Sequence, residues 1–354
     1  MIKVLIVDDS ALMRRQLSTL FTDEGGFEIC LARNGKEAIE ENLRFKPDVI
    51  TLDINMPEMD GLTALALIME ERSVPVIMVS SLTEKGALAT FEALALGAVD
   101  YIPKPSGTIS LTIDDIRKEL LSKVRAAARS KVKVRAESSL QARVKEKLKP
   151  KPEHSAIIRR GVSNNGVVLI GVSTGGPRTL EDILPLFPED FPYPVLVAQH
   201  MPASFTLPFA NRMNDLCNLE VVEASRPTPI EPGYIYIGKG AADMTVALRG
   251  GKPTIVPKPE NSNFLWHPSV ELLGRSALEV YEPSQIIAVM LTGMGYDGSD
   301  AFAEIKKRGG RTIAESEESC VVFGMPAELI AKNGATVILP ADRVTKQILA
   351  WTRR

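Results

Sequence analysis

Short apolar runs that stop at polar residues recur through the first third of the chain. Residues 4–7, 27–32, 48–52, 74–79 and 99–102 are strand candidates by continuous apolar or β-branched character. Four of them stop at chemically distinctive positions: Asp8-Asp9-Ser10, Asp53, Ser80-Ser81 and Pro103-Lys104-Pro105. Helical spacing fills the gaps. One helix runs from a Ser10 cap through Leu12, Leu17 and Leu20, and others cover 36–44, 61–72 behind Asp60-Gly61, 84–96 closed by Gly97, and 112–129. Five alternations of strand and helix predict an open parallel sheet.

The second half repeats the theme. The run Val168-Leu169-Ile170-Gly171-Val172 leads into Ser173-Thr174-Gly175-Gly176-Pro177, with a helix expected to start at Thr179 and reach Leu186. Further strands are expected at 194–198, ending in Gln199-His200-Met201-Pro202, and at 286–291, ending in Thr292-Gly293-Met294-Gly295-Tyr296-Asp297-Gly298. Residues 311–314 and 337–339 are short strands, and 234–238 with 244–248 suggest a hairpin region. Helices are expected at 270–278, 300–308 and 327–331. The pattern predicts two doubly wound α/β domains, the second with a mostly parallel sheet.

Between them the pattern lapses. From Arg117 to Arg160 the chain has 15 Lys or Arg against 4 Glu, and Pro150 and Pro152 interrupt it. Such a segment suits a solvated connector, or binding to nucleic acid or anionic lipid; without aromatic interleaving or a recognition motif the connector is favoured. His154 in it has no assigned role. The expected division is 1–130, a basic linker over 131–165, and 166–354.

Composition narrows the class. In 354 residues, 45% hydrophobic with a formal charge of -2, there is room for two cores and no global pull toward nucleic acid. Cys30, Cys217 and Cys320 form no motif, which argues against disulfides or a zinc site. No apolar run reaches membrane-spanning length, and Asp8-Asp9 follow the first apolar run too closely for a signal peptide. A cytoplasmic protein without membrane insertion is expected.

Functional groups of open parallel sheets lie at the carboxyl ends of the strands. In the first domain those ends bring Asp8, Asp9, Asp53, Ser80 and Lys104. Clustered carboxylates repel one another unless a cation joins them, and all-oxygen ligands favour a hard ion such as Mg²⁺. A hydroxyl and an ammonium beside them suit a phosphoryl group. Together with Asp53-Ile54-Asn55-Met56-Pro57-Glu58-Met59-Asp60-Gly61 and Lys104-Pro105, the stretch from Ile2 to Arg125 resembles a response-regulator receiver domain of flavodoxin-like fold. The resemblance implies phosphorylation of Asp53 by a histidine kinase. It also implies Mg²⁺ held by Asp9, Asp53 and the Asn55 carbonyl with Asp8 assisting, and phosphate sensing by Ser80 and Lys104.

In the second domain three strand ends carry Ser173, His200 and Asp297. A serine hydroxyl is a poor nucleophile until a histidine takes its proton, and a carboxylate fixes that histidine's tautomer. Backbone N–H groups around Thr174 and 293–295 are candidates for an oxyanion site. Asp182 and Glu315 are alternative carboxylates, and His267 is a rim or loop residue. The same glycine turn would also serve as a phosphate cradle, and a non-enzymatic regulator acting through the basic linker is the other rival.

The motifs Gly171-Val172-Ser173-Thr174-Gly175-Gly176, Gln199-His200-Met201-Pro202, His267-Pro268-Ser269-Val270, Leu291-Thr292-Gly293-Met294-Gly295 and Phe323-Gly324-Met325-Pro326 resemble the CheB family of chemotaxis protein-glutamate methylesterases. The resemblance implies Ser173 as nucleophile, His200 as base, Asp297 as orienting carboxylate and the Met294 amide in the oxyanion hole, with no cofactor for catalysis. It implies hydrolysis of glutamate methyl esters, and deamidation of glutamines, on chemoreceptors. It also implies an unphosphorylated receiver that covers the active site. Tyr296, Asp243 and Ile102-Pro103 depart from the family pattern.

Overall fold

The computed structural model describes residues 1–104, 109–129 and 166–352. The expected linker over 131–165, with His154, lies outside the described residues. The first unit is β1 (Ile2–Val7), α1 (Ala11–Glu24), β2 (Phe27–Ala32), α2 (Gly35–Phe45), β3 (Val49–Asp53), α3 (Gly61–Glu71), β4 (Val76–Ser80), α4 (Glu84–Leu96), β5 (Asp100–Pro103) and α5 (Ile109–Arg129). Its five strands are parallel in the order β2-β1-β3-β4-β5. Ser10, Asn34, Asp60 and Thr83 each cap a helix by accepting an amide of the first turn, so four chain reversals are written in the caps.

The second unit opens with β6 (Val167–Val172), α6 (Gly176–Ile183), β7 (Val195–Gln199), α7 (Ala203–Leu216), β8 (Glu220–Ala224), β9 (Thr228–Pro229), β10 (Tyr234–Gly238), β11 (Ala242–Arg249) and β12 (Lys252–Pro259). It continues with α8 (Val270–Leu278), β13 (Ile286–Met290), α9 (Ser299–Lys307), β14 (Arg311–Glu315), α10 (Met325–Ala331), β15 (Val337–Leu339) and α11 (Ala341–Thr352). The main sheet runs β15-β14-β13-β6-β7-β10-β8, and every pairing in it is parallel. From β6 the chain builds first toward β7 and later toward β13, so β6 is where the strand order reverses. Ligand crevices open outside the carboxyl ends at such a reversal.

Two expectations change. Residues 234–238 and 244–248 do not form a hairpin: β10 lies in the parallel sheet, and β11 pairs antiparallel with β12. The helix after Ser173 begins at Gly176 rather than Thr179, directly beneath the serine.

The two units touch. Phe91 of α4 lies 6.0 Å from Phe205 and 5.4 Å from Phe209 of α7, and Tyr101 stacks on Phe205 at 4.7 Å with planes 2° apart. The Ser122 hydroxyl of α5 contacts the Met294 sulfur.

Candidate active site

β6 is buried along its whole length and releases the chain at Ser173, whose N–H donates to the Thr292 carbonyl at 3.0 Å. Gly175 takes a left-handed φ of 76°, which lets α6 start at once. Gly176 has no room for a side chain: a Cβ there would fall 1.9 Å from Gln199 Oε1. On the neighbouring strand the His200 N–H donates to the Val172 carbonyl at 3.1 Å. Gln199 Nε2 donates to the carbonyls of both Ser173 (3.0 Å) and His200 (2.9 Å), tying the two strand ends together.

His200 Nε2 lies 2.9 Å from Asp297 Oδ2. Asp297 is buried and also accepts from Ser269 Oγ (3.0 Å) and from the N–H groups of Val270 (2.7 Å) and Glu271 (3.0 Å) in the first turn of α8. Burial pushes its carboxyl upward, but His200 and these amides outweigh burial and hold it below the usual carboxylate range. An ionised Asp297 accepts, so in a neutral imidazole Nε2 carries the hydrogen and Nδ1 is the open acceptor. Nδ1 is buried and has no partner among the described residues.

The loop after β13 faces the serine. The Gly293 carbonyl accepts from the N–H groups of Gly324 (3.1 Å) and Met325 (2.8 Å), where α10 begins. In a trans peptide the next N–H points the opposite way, so the Met294 N–H is turned away from α10. Gly293 is wedged between Met325 and Ser173, since a Cβ there would lie 2.5 Å from Met325 Sδ and 2.7 Å from Ser173 Cβ. Thr292 stitches the loops: its hydroxyl donates to the Thr174 carbonyl (2.9 Å) and its N–H donates to buried Glu315 (2.7 Å).

Ser173, His200 and Asp297 thus come from the reversal strand and its two neighbours. Glu315 holds the Thr292 backbone instead of the histidine. His267 Nδ1 engages Asp243 at 2.9 Å, and Asp243 also accepts the Ser269 N–H at 2.9 Å. Burial first, then Glu315, push the Cys320 thiol far up, which suits an inert structural cysteine. Two residues of the site carry little signal in the spacing: Gln199, inside a quoted motif, and Ser269, whose place before an apolar helical run signals a cap but not its second bond to Asp297.

At the carboxyl edge of the first sheet, one oxygen each of Asp8, Asp9 and Asp53 lies within 4.8 Å of the others. Lys104 Nζ sits 2.8 Å from Asp53 and 3.0 Å from Asp8. Burial raises the Asp53 carboxyl, with Asp8 adding to the rise and Lys104 and the Asn55 amide opposing it. The Ser80 hydroxyl donates to the Gly86 carbonyl at 3.1 Å, at the start of α4. An acidic cluster of oxygen donors, buried at Asp8 and Asp53 and open to solvent at Asp9, fits a hard divalent cation.

Fold and sites define a class: a receiver joined to an α/β effector that carries a serine, a histidine and a carboxylate at its sheet reversal. Residues 4–114 match the family model for the response regulator receiver domain, and 168–348 match that for CheB methylesterase. The protein-glutamate methylesterase/protein-glutamine glutaminase 3 of Rhodospirillum rubrum is 54% identical, covering 100% of this chain and 97% of that protein. A like-named protein of Rhodopseudomonas palustris is 46% identical over 99% of this chain and 98% of its own. The crystal structure of the Thermotoga maritima CheB methylesterase catalytic domain is 38% identical and covers 52% of this chain and 98% of that one, with a TM-score of 0.51. The chain belongs to the CheB family of protein-glutamate methylesterases/protein-glutamine glutaminases.

Proposed function

We propose that residues 166–354 form a serine esterase that hydrolyses glutamate methyl esters, and deamidates glutamines, on chemoreceptors, under the control of a receiver over 1–130. The observation that carries this is the bond that His200 Nε2 donates to buried Asp297 at the sheet reversal beside Ser173. It leaves Nδ1 as the base. Ser173 Oγ attacks the ester carbonyl carbon while Nδ1 takes the hydroxyl proton. The Met294 N–H meets the developing oxyanion. The imidazolium then protonates the departing methoxide, and methanol leaves. Water, deprotonated by Nδ1, attacks the acyl-enzyme, and Ser173 regains its proton as free glutamate departs. With a glutamine side chain the leaving group is ammonia.

In the receiver, Asp53 accepts a phosphoryl group from a histidine kinase. Asp8, Asp9, Asp53 and the Asn55 carbonyl are the groups that would hold Mg²⁺, which when bound neutralises phosphoryl oxygens. Lys104 already pairs with Asp53, so it is placed to follow the added charge. Ser80 has to leave the Gly86 carbonyl to sense it, and that links Asp53 to the start of α4. Because α4 and α5 lie against α7 and Met294, a shift there loosens the cover over the esterase. The Asp53→Asn variant should take no label from a small phosphodonor; persistent labelling would refute the assignment. The reading as a whole is tested by methanol release from methylated receptor membranes. Wild type should release methanol, faster with a phosphodonor, and Ser173→Ala should not. Equal release by both proteins would contradict it.

A further inference from the structure

The Ser173 site has two unlike flanks. On one, α4 and α5 of the receiver lie against α7 and Met294. On the other, Leu265 and Tyr296 remain 72% and 53% exposed with the receiver in place. Trp266 joins this open flank to the chemistry. Its ring lies parallel to the His200 imidazole, with centroids 5.9 Å apart and planes 8° apart, and meets Tyr296 edge-on at 5.2 Å and 86°.

The flank is built rather than slack. A Cβ at Gly295 would fall 2.6 Å from the Trp266 ring, so the indole fits only because residue 295 has no side chain. Behind it, Asp243 holds both His267 and the Ser269 N–H, which anchors the loop to the start of α8. Single exposed apolar residues need no explanation, but two aromatic rings in contact with each other and with a candidate catalytic imidazole do, and Leu265 precedes the first of them in the chain.

Resting on the esterase reading above, we propose that Trp266, Tyr296 and Leu265 form a specificity-determining wall for an apolar side chain of the substrate protein. The rings run from the imidazole to Trp266 at 5.9 Å and on to Tyr296 at 5.2 Å, away from the reacting groups. With the esterified glutamate at Ser173, an apolar side chain of the substrate protein close to that glutamate is within reach of the Tyr296 ring. The wall carries no charge, so it selects for apolar neighbours of the ester and against acidic or basic ones.

The test uses the full-length chain and two substrates, methylated receptor membranes and the γ-methyl ester of N-acetylglutamate, which is too short to reach Tyr296. Tyr296→Ser and Leu265→Ser should each lower kcat/KM on receptor by about tenfold, mainly through KM, as truncation of an aromatic or apolar anchor does. The loss on the small ester should be at least about fivefold smaller, and Tyr296→Phe should restore receptor activity to within about twofold. Equal losses on both substrates, or no loss on receptor, would overturn the wall. A wild type no faster than Ser173→Ala would instead overturn the esterase reading beneath it.

Discussion

Asp297 accepts from His200, Ser269 and two amides of α8, and this explains how a buried carboxylate stays charged. Asparagine at that position would offer an N–H where the imidazole needs an acceptor, favouring the wrong tautomer. Asp297→Asn should therefore lower kcat for methanol release by about 10³–10⁴. The same bonds have a stability signature. The carboxyl is held below its ordinary value of about 3.9, so its contribution is fully present above that value and is lost as pH falls through the lower folded value. Between about pH 5 and pH 2, urea midpoints should fall less steeply for Asp297→Asn than for wild type. An equally steep fall would show that another group carries the acid sensitivity. At this scale Ser173, His200 and Asp297 were legible because each follows an apolar run. Which nitrogen of His200 faces Asp297, and the second bond of Ser269, depend on three-dimensional approach and left no trace in spacing.

Elements make that approach possible. Gly293 lets the loop after β13 lie against the serine, and its carbonyl is committed to the start of α10. Gly293→Ala has to push Ser173 or Met325 aside, because the new carbon would come within 2.7 Å of Ser173 Cβ and 2.5 Å of Met325 Sδ. Displacements of about 1 Å at reacting groups cost on the order of 10² in rate, so kcat should fall by about that factor while the receiver still takes phosphate. Unchanged turnover would show that the loop yields without moving the serine. The parallel sheets were legible from the alternation of apolar runs with helical spacing. Five elements were not: α7, β8, β9, β12 and α11. α7 contains Pro208, which reads as a breaker, yet the helix continues through it. β12 contains Pro253, Pro257 and Pro259, a pattern that reads against a strand interior. The Pro253 carbonyl accepts from Ile230 on the β9 side, so the prolines, all of one parity, direct their missing donors away from β11. Without β12, β10 is the nearest strand that the spacing offers β11 as a partner.

For the whole molecule, the aromatic contact of Phe91 and Tyr101 with Phe205 and Phe209 joins the receiver to the esterase domain. Its sequence signal is slight: four aromatics in three separate stretches, each readable as ordinary core. Phe91→Ala removes a buried ring, a change that typically costs about 3–5 kcal/mol, shared here between receiver stability and docking. Methanol release without phosphodonor should rise several-fold, and the increment on adding phosphodonor should shrink. A fall in basal release, with the esterase still folded by thermal melting, would contradict inhibition by coverage. The claim beneath all of this is that Ser173, His200 and Asp297 work as one unit, and non-additivity tests it most directly. Methanol release from methylated receptor membranes should be measured for Ser173→Ala, His200→Ala and the double variant, all with phosphodonor. One catalytic unit predicts that the double variant is no slower than the worse single variant; losses that multiply would mean that the serine and the histidine act independently.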